Sequence, residues 1–209
     1  MIGKKFLILA APILLIALSA TGQFSQKPCA KCFIVMNEGD TIRCSVEMQE
    51  DYTHLKKIRI QVQNREEVQR VKVKDIQALR VPGKFYEKVR LEKGDHLLQR
   101  VANGYAKLYQ DYSFELTESN EDDPEALVEI EPESPDPQKK PVYYLKIGDN
   151  TRLLDQKKFH VELAEYFNDF SELSQKLLAG RFEYSDVTSI VRNYNSWKAK
   201  QKTEPSKDK

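Results

Sequence analysis

The chain has little of what usually announces a chemistry. Its net charge is only +1, from 33 Lys and Arg against 32 Asp and Glu, so no global charge points to nucleic acid or an anionic membrane as partner. Three histidines, His54, His96 and His160, are scattered along it, and no second Cys/His pair stands at the spacing of a four-ligand zinc site. After Leu18 no apolar run approaches the length of a membrane-spanning helix. The strings G-x-S-x-G, G-x-x-x-x-G-K and G-x-G-x-x-G are missing, and with them the local signatures of serine hydrolases, P-loops and dinucleotide sites. The expectation is a protein without a cofactor that binds or scaffolds rather than catalyses.

What is present begins at the N-terminus. Lys4 and Lys5 precede an apolar run from Phe6 to Leu18, and Ser19, Ala20, Thr21 and Gly22 follow. This is the layout of a secretory signal peptide over residues 1–22. The apolar run rises only about 20 Å as a helix, short of a hydrocarbon core of roughly 30 Å. Ala20 and Gly22 at −3 and −1 predict cleavage before Gln23, and export to the periplasm or cell surface. No cysteine sits at that point, so a lipid-modified terminus is not expected.

Charge is distributed unevenly. Residues 23–117 hold 17 basic and 13 acidic residues, whereas 118–141 hold nine acidic residues offset only by Lys139 and Lys140. The same block carries Pro124, Pro132, Pro135, Pro137 and Pro141. So acidic and proline-rich a stretch cannot bury enough surface to offset its ordering entropy, and it reads as a disordered loop.

Before this block the hydrophobic period is two. Ile58, Ile60 and Val62 alternate with Lys57, Arg59 and Gln61; Val71 and Val73 alternate with Lys72 and Lys74; Phe85, Val89 and Leu91 alternate with Tyr86, Lys88 and Arg90. Such alternation predicts about seven antiparallel strands with one wet face. Asn37-Glu38-Gly39-Asp40 reads as a four-residue hairpin turn, and Asn103-Gly104 as the strongest hairpin signal. After the block, Val142–Ile147 and Thr151–Leu154 predict a further hairpin. Phe159, Leu163, Phe167 and Phe170 then recur at helical spacing, Leu173 and Leu177 predict a second helix closed by Gly180, and Ser185 is placed to cap a third carrying Val187, Ile190, Val191 and Tyr194. The expected fold is α+β: an antiparallel β-meander, curved or forming a small open barrel (23–117), the acidic insertion (118–141), and a hairpin with three helices packing on the sheet (142–197). A polar tail (198–209) is expected to be disordered.

Cys29-Ala30-Lys31-Cys32 is the one local motif with possible reactivity, and Cys44 is the third cysteine. In an exported protein these thiols suggest a structural bridge first. The alternative, a redox-active protein using Cys29 and Cys32, needs a helix N-terminus to depress a thiol pKa, and here the motif runs into a strand. A four-residue turn would set Cys44 opposite Phe33, inward with Ile42, Val46 and Val35, and turn Cys32 outward. Lys57, Arg59, Arg70, Lys72 and Lys74 fall on the outward positions of two neighbouring strands, a candidate docking face for an envelope protein or an anionic glycan. The acidic segment 118–136 is a candidate for a weak, salt-sensitive contact with the same face.

Several short strings are similar to those of a family of exported proteins common in Gram-negative bacteria of the Bacteroidota type. They are Gly39-Asp40-Thr41-Ile42, Asp75-Ile76 with Phe85-Tyr86, Val101-x-Asn103-Gly104-x-x-x-Leu108-Tyr109, Tyr143-Tyr144-Leu145, Phe167-x-Asp169 and Ile190-Val191-x-x-Tyr194-Asn195. The resemblance implies export and this architecture, and it transfers no catalytic residue. Cys29-x-x-Cys32 is not part of that pattern.

Overall fold

The computed structural model describes residues 28–113 and 140–203. Residues 1–27, 114–139 and 204–209, which hold the expected signal peptide and most of the expected disordered loop, lie outside the described residues, as do the side chains of 28–31, 113 and 203. Two expected boundaries shift: Lys140 and Pro141, assigned to the disordered loop, begin a strand, and 198–203, assigned to the disordered tail, continue the last helix. Among the described residues there are ten strands: β1 (Pro28–Met36), β2 (Thr41–Glu47), β3 (Lys57–Val62), β4 (Val68–Lys72), β5 (Ile76–Val81), β6 (Lys84–Leu91), β7 (Gly94–Ala102), β8 (Ala106–Ser113), β9 (Lys140–Ile147) and β10 (Asn150–Leu153). Helices α1 (Phe159–Tyr166), α2 (Ser171–Leu178) and α3 (Val187–Thr203) follow. The fold is α+β, with one open antiparallel sheet in the order β10-β9-β8-β7-β6-β5-β1-β2-β3-β4.

That order is two meanders joined where β5 pairs with β1. The link between them forces curvature. A flat path from β4 to β5 crosses four inter-strand spacings, roughly 19 Å at about 4.8 Å each. The connection is the single 3-10 turn Val73–Asp75, and from Lys72 to Ile76 the chain reaches at most about 14 Å. The β1–β5 half must therefore roll, and Ile34, Val46, Ile58, Ile60, Leu79 and Tyr86 are buried in one cluster with Tyr52 of the β2–β3 loop. Lys74 accordingly belongs to the turn and not to a strand.

The β1–β2 register differs by one from the expected pairing. Met36 N–H donates to Asp40 O at 2.8 Å and Gly39 N–H to Met36 O at 3.0 Å. The loop therefore has three residues, Asn37–Gly39, with Gly39 at φ +94° as in a turn closed by a G1 bulge. Phe33 then faces Arg43, and Cys32 faces Cys44. Cys44 and Val46 are buried as expected, but Cys32 points inward with Ile34, while Val35 is only half-buried. Tyr86, expected on the wet side of β6, is fully buried against Tyr52, with ring centroids 5.4 Å apart. Both faces of β6 are covered, since Val89 on its other side packs with Leu98 and Tyr109.

The helices cover β8 and β9 through a second cluster that includes Leu108, Tyr143, Leu145, Leu163, Phe167, Ile190 and Val191. The run from Phe159 to Phe170 is not one helix. It breaks after Tyr166, and Phe170 N–H bonds to Phe167 O across the gap, which seats Phe167 inward. Gly180, at φ +65°, closes α2 as expected: its N–H reaches Leu177 O and that of Arg181 reaches Lys176 O, the Schellman pair. Ser185 does not cap α3. Asp186 folds back so that its Oδ2 accepts the Glu183 N–H at 2.9 Å.

Asn195 locks α3 to the sheet. Its Oδ1 accepts the Ala106 N–H at 2.8 Å and its Nδ2 donates to Ala106 O at 2.7 Å, all buried. Gly104, at φ +154°, makes room, because a Cβ there would lie 2.6 Å from Asn195 Cγ. Tyr194 stacks on Phe167 at 4.0 Å and donates to Asp169 Oδ2 at 3.2 Å. Asn195→Ala would strand two buried backbone groups and should cost about 2–4 kcal/mol. Urea unfolding checks this; Gly104→Ala should also lower the midpoint, and an unchanged midpoint in either would contradict the lock.

Burial pushes the Tyr86, Tyr109 and Tyr194 phenols up, helped by the charges of Asp51, Glu87 and Asp169 respectively. Folded values above the ordinary 10.0 mean that their contribution to stability is complete below that pH and is lost as pH rises toward the folded values. Thermal melts from about pH 9 to 12 should show progressive destabilisation; a flat profile would contradict it.

Candidate functional site: a cationic groove and a facing cysteine pair

Three segments meet at the mouth of the rolled half. The β2–β3 loop brings His54, Leu55 and Lys56; β3, β4 and the turn after them bring Lys57, Lys72 and Lys74; and the β6–β7 hairpin brings Lys88, Asp95, His96 and Leu97. They line an open groove of about 500 Å³ with five lysines and one carboxylate. Hydrogen bonds hold the walls together. Val73 N–H donates to Lys56 O at 3.1 Å, and Asn37 Nδ2 donates to Lys74 O at 3.1 Å. Lys88 Nζ donates to Lys74 O at 2.6 Å and to Asn37 Oδ1 at 2.5 Å. The carboxylate, Asp95, lies 3.1 Å from Arg90 Nη1.

The β3–β4 register sets Lys57 opposite Lys72 and Arg59 opposite Arg70. Of the five basic residues singled out in the sequence, Lys57, Lys72 and Lys74 reach the groove, and Arg59 and Arg70 do not line it. Arg59 is engaged by Glu47, which is buried on β2, at 3.1 Å. Lys56, Lys88 and the two histidines are additions. Lys88 shares its face of β6 with the buried Tyr86, so local alternation does not predict its place at the groove, and Lys56 sits in an aperiodic loop.

A second charged cluster lies on β6–β8. Glu87 takes Arg100 at 3.0 Å and Lys107 at 2.9 Å, and it accepts the Tyr109 hydroxyl at 3.1 Å. Burial alone would raise the Glu87 pKa; the Lys107 and Arg100 charges and the donated hydrogen bonds outweigh it and hold it below the usual value. Every charged member is paired within the cluster, which braces three strands.

Two of the three histidines have a local partner. His54 Nε2 is 2.9 Å from Asp111 Oδ1, His160 Nε2 is 2.9 Å from Phe182 O, and His96 lines the groove. Among the described residues no group of three His, Cys, Asp or Glu is arranged to hold a metal ion, and no helix is long and apolar enough to cross a membrane.

Cys29 and Cys32 both lie in β1, so no helix N-terminus acts on either. Cys32 is disulfide-bonded, and Cys44 is a free, buried thiol. Burial pushes the Cys44 thiol up to about 11. No family model, curated protein or solved structure matches the chain.

With three cysteines and one disulfide, thiol titration without reductant should find one group per chain in denaturant and none in the native state. Three should appear after reduction; a native, fast-reacting thiol would contradict the burial of Cys44.

Proposed function

We propose that this protein is an exported, non-enzymatic binding protein of the bacterial envelope whose cationic groove takes an anionic glycan. The observation that carries the reading is the opposed pair Lys57 and Lys72. Like charges directly opposite on an antiparallel ladder destabilise it, and among the described residues neither lysine has an ion-pair partner. On the next same-face rung Arg59 opposes Arg70, and there Glu47 relieves the repulsion. A ligand bearing several anionic groups would do the same for the groove. In a chain of near-zero net charge the five lysines form a local field that raises the concentration of such a ligand at the mouth. Leader-like residues 1–22 and the disulfide at Cys32 support an oxidising, extracytoplasmic destination.

Heparin, as a sulfated glycan probe, should bind and raise the unfolding temperature, while uncharged dextran should not. Binding should weaken steeply with salt as exposed charges are screened. The triple variant Lys57→Glu, Lys72→Glu, Lys74→Glu should weaken binding at least about tenfold at low salt, or about 1.4 kcal/mol. Equal binding by the variant, or equal binding of dextran, would overturn the proposal.

A further inference from the structure

β1 and β2 set Cys32 directly opposite Cys44. Opposed Cα atoms in an antiparallel pair stand roughly 4.5–5.5 Å apart, inside the roughly 4.4–6.8 Å that a disulfide spans. Opposed side chains leave the same face of a sheet. Both are buried, Cys32 at 3% and Cys44 at 5% exposure, in one apolar cluster with Ile34 and Val46. Yet Cys32 is bonded elsewhere, and Cys44 keeps its thiol. A free thiol facing a disulfide across one rung is the starting arrangement for thiol–disulfide exchange.

We propose that Cys44 is an internal exchange partner for the Cys32 disulfide, giving the chain two alternative bridges. The Cys44 thiolate attacks Cys32 Sγ, and a Cys32–Cys44 bond forms as the existing bond to Cys32 breaks. The electron pair leaves with the departing sulfur, which takes up the proton that Cys44 released. One disulfide and one thiol exist before and after, so no outside oxidant or reductant is required. The product cross-links β1 to β2 inside the core and leaves the departing cysteine as the free thiol. The exchange is independent of the glycan reading and uses none of the groove lysines.

Burial holds the step in check. The ladder neighbours of Cys44 are Cys32 on β1 and Val62 on β3, neither of them charged, and burial is what raises its thiol to about 11. Because only the thiolate attacks, the exchange rate should rise roughly tenfold for each pH unit below that value.

The test uses the full chain, purified oxidised, and the variant Cys29→Ser, which leaves the opposed pair as the sole cysteines. With oxidised glutathione under native conditions the variant should lose two hydrogens by mass spectrometry and show no alkylatable thiol after denaturation. Two persistent thiols in a variant whose circular dichroism matches the wild type would overturn the proposal. The wild-type chain gives a second measurement that does not depend on that variant folding. After incubation across the alkaline range, acid quench and peptide mapping, a Cys32–Cys44 linkage should accumulate with the stated pH slope. The original linkage alone at every pH would overturn the proposal, as would the same accumulation of new linkages in Cys44→Ser.

Discussion

Asn37 ties the first turn of the sheet to the wall of the groove by three hydrogen bonds. Its backbone N–H donates to Asp75 O at 3.0 Å, its Nδ2 donates to Lys74 O at 3.1 Å, and its Oδ1 accepts from Lys88 Nζ at 2.5 Å. The same residue begins the three-residue loop that sets the β1–β2 register. One more residue in that loop would shift the pairing by one and separate Cys32 from Cys44. It would also draw Asn37 away from the Val73–Asp75 turn on which Lys74 stands. The groove and the facing cysteines thus share one geometric cause, although their chemistries are unrelated.

At the other end of the sheet the constraint is Asn195. A buried amide is expensive unless both its ends are satisfied, and the backbone of Ala106 satisfies both. Because that backbone begins β8 directly after the Asn103-Gly104 hairpin, the bond fixes where along the sheet α3 lies. Ile190, Val191 and Tyr194 then fall on the β8–β9 face instead of some other apolar stretch. Non-directional apolar contact alone would tolerate sliding; two short hydrogen bonds do not.

Much of this architecture was legible in the chain. Period-two alternation identified the strands, Asn103-Gly104 and Gly180 stand where a hairpin and a helix end occur, and the period changes after the acidic block. What was not legible depended on contacts distant in sequence. The length of the Asn37–Gly39 loop is settled by hydrogen bonds that a list of turn-forming residues does not reveal. Tyr86 is inside because the Tyr52 loop closes over it, and local alternation carries no information about that loop. Phe167 and Phe170 sit at helical spacing but on either side of a break, since spacing alone cannot separate a continuous helix from two that pack at an angle. Lys57, Lys72 and Lys74 were legible as a basic group. Their convergence with Lys56 and Lys88 required the roll imposed by the short β4–β5 connection.

A basic edge strand has an ordinary explanation: charged residues on an edge keep two sheets from pairing. That explanation covers Arg70 and Lys72, which lie on β4, the last strand of the sheet. It does not reach Lys57, which lies on the interior strand β3, nor Lys74 on the turn, Lys56 on the loop or Lys88 on the central strand β6. Edge protection also gives no reason for a bonded polar scaffold behind the lysines, such as the one Asn37 and Lys88 supply. Solvated lysines repel and disperse, and these are instead gathered from three segments that the backbone holds together. Proteins depart from local consistency of this kind mainly where a site requires it. The proposed anionic ligand would supply a counter-charge that the groove lysines lack, and the groove is open.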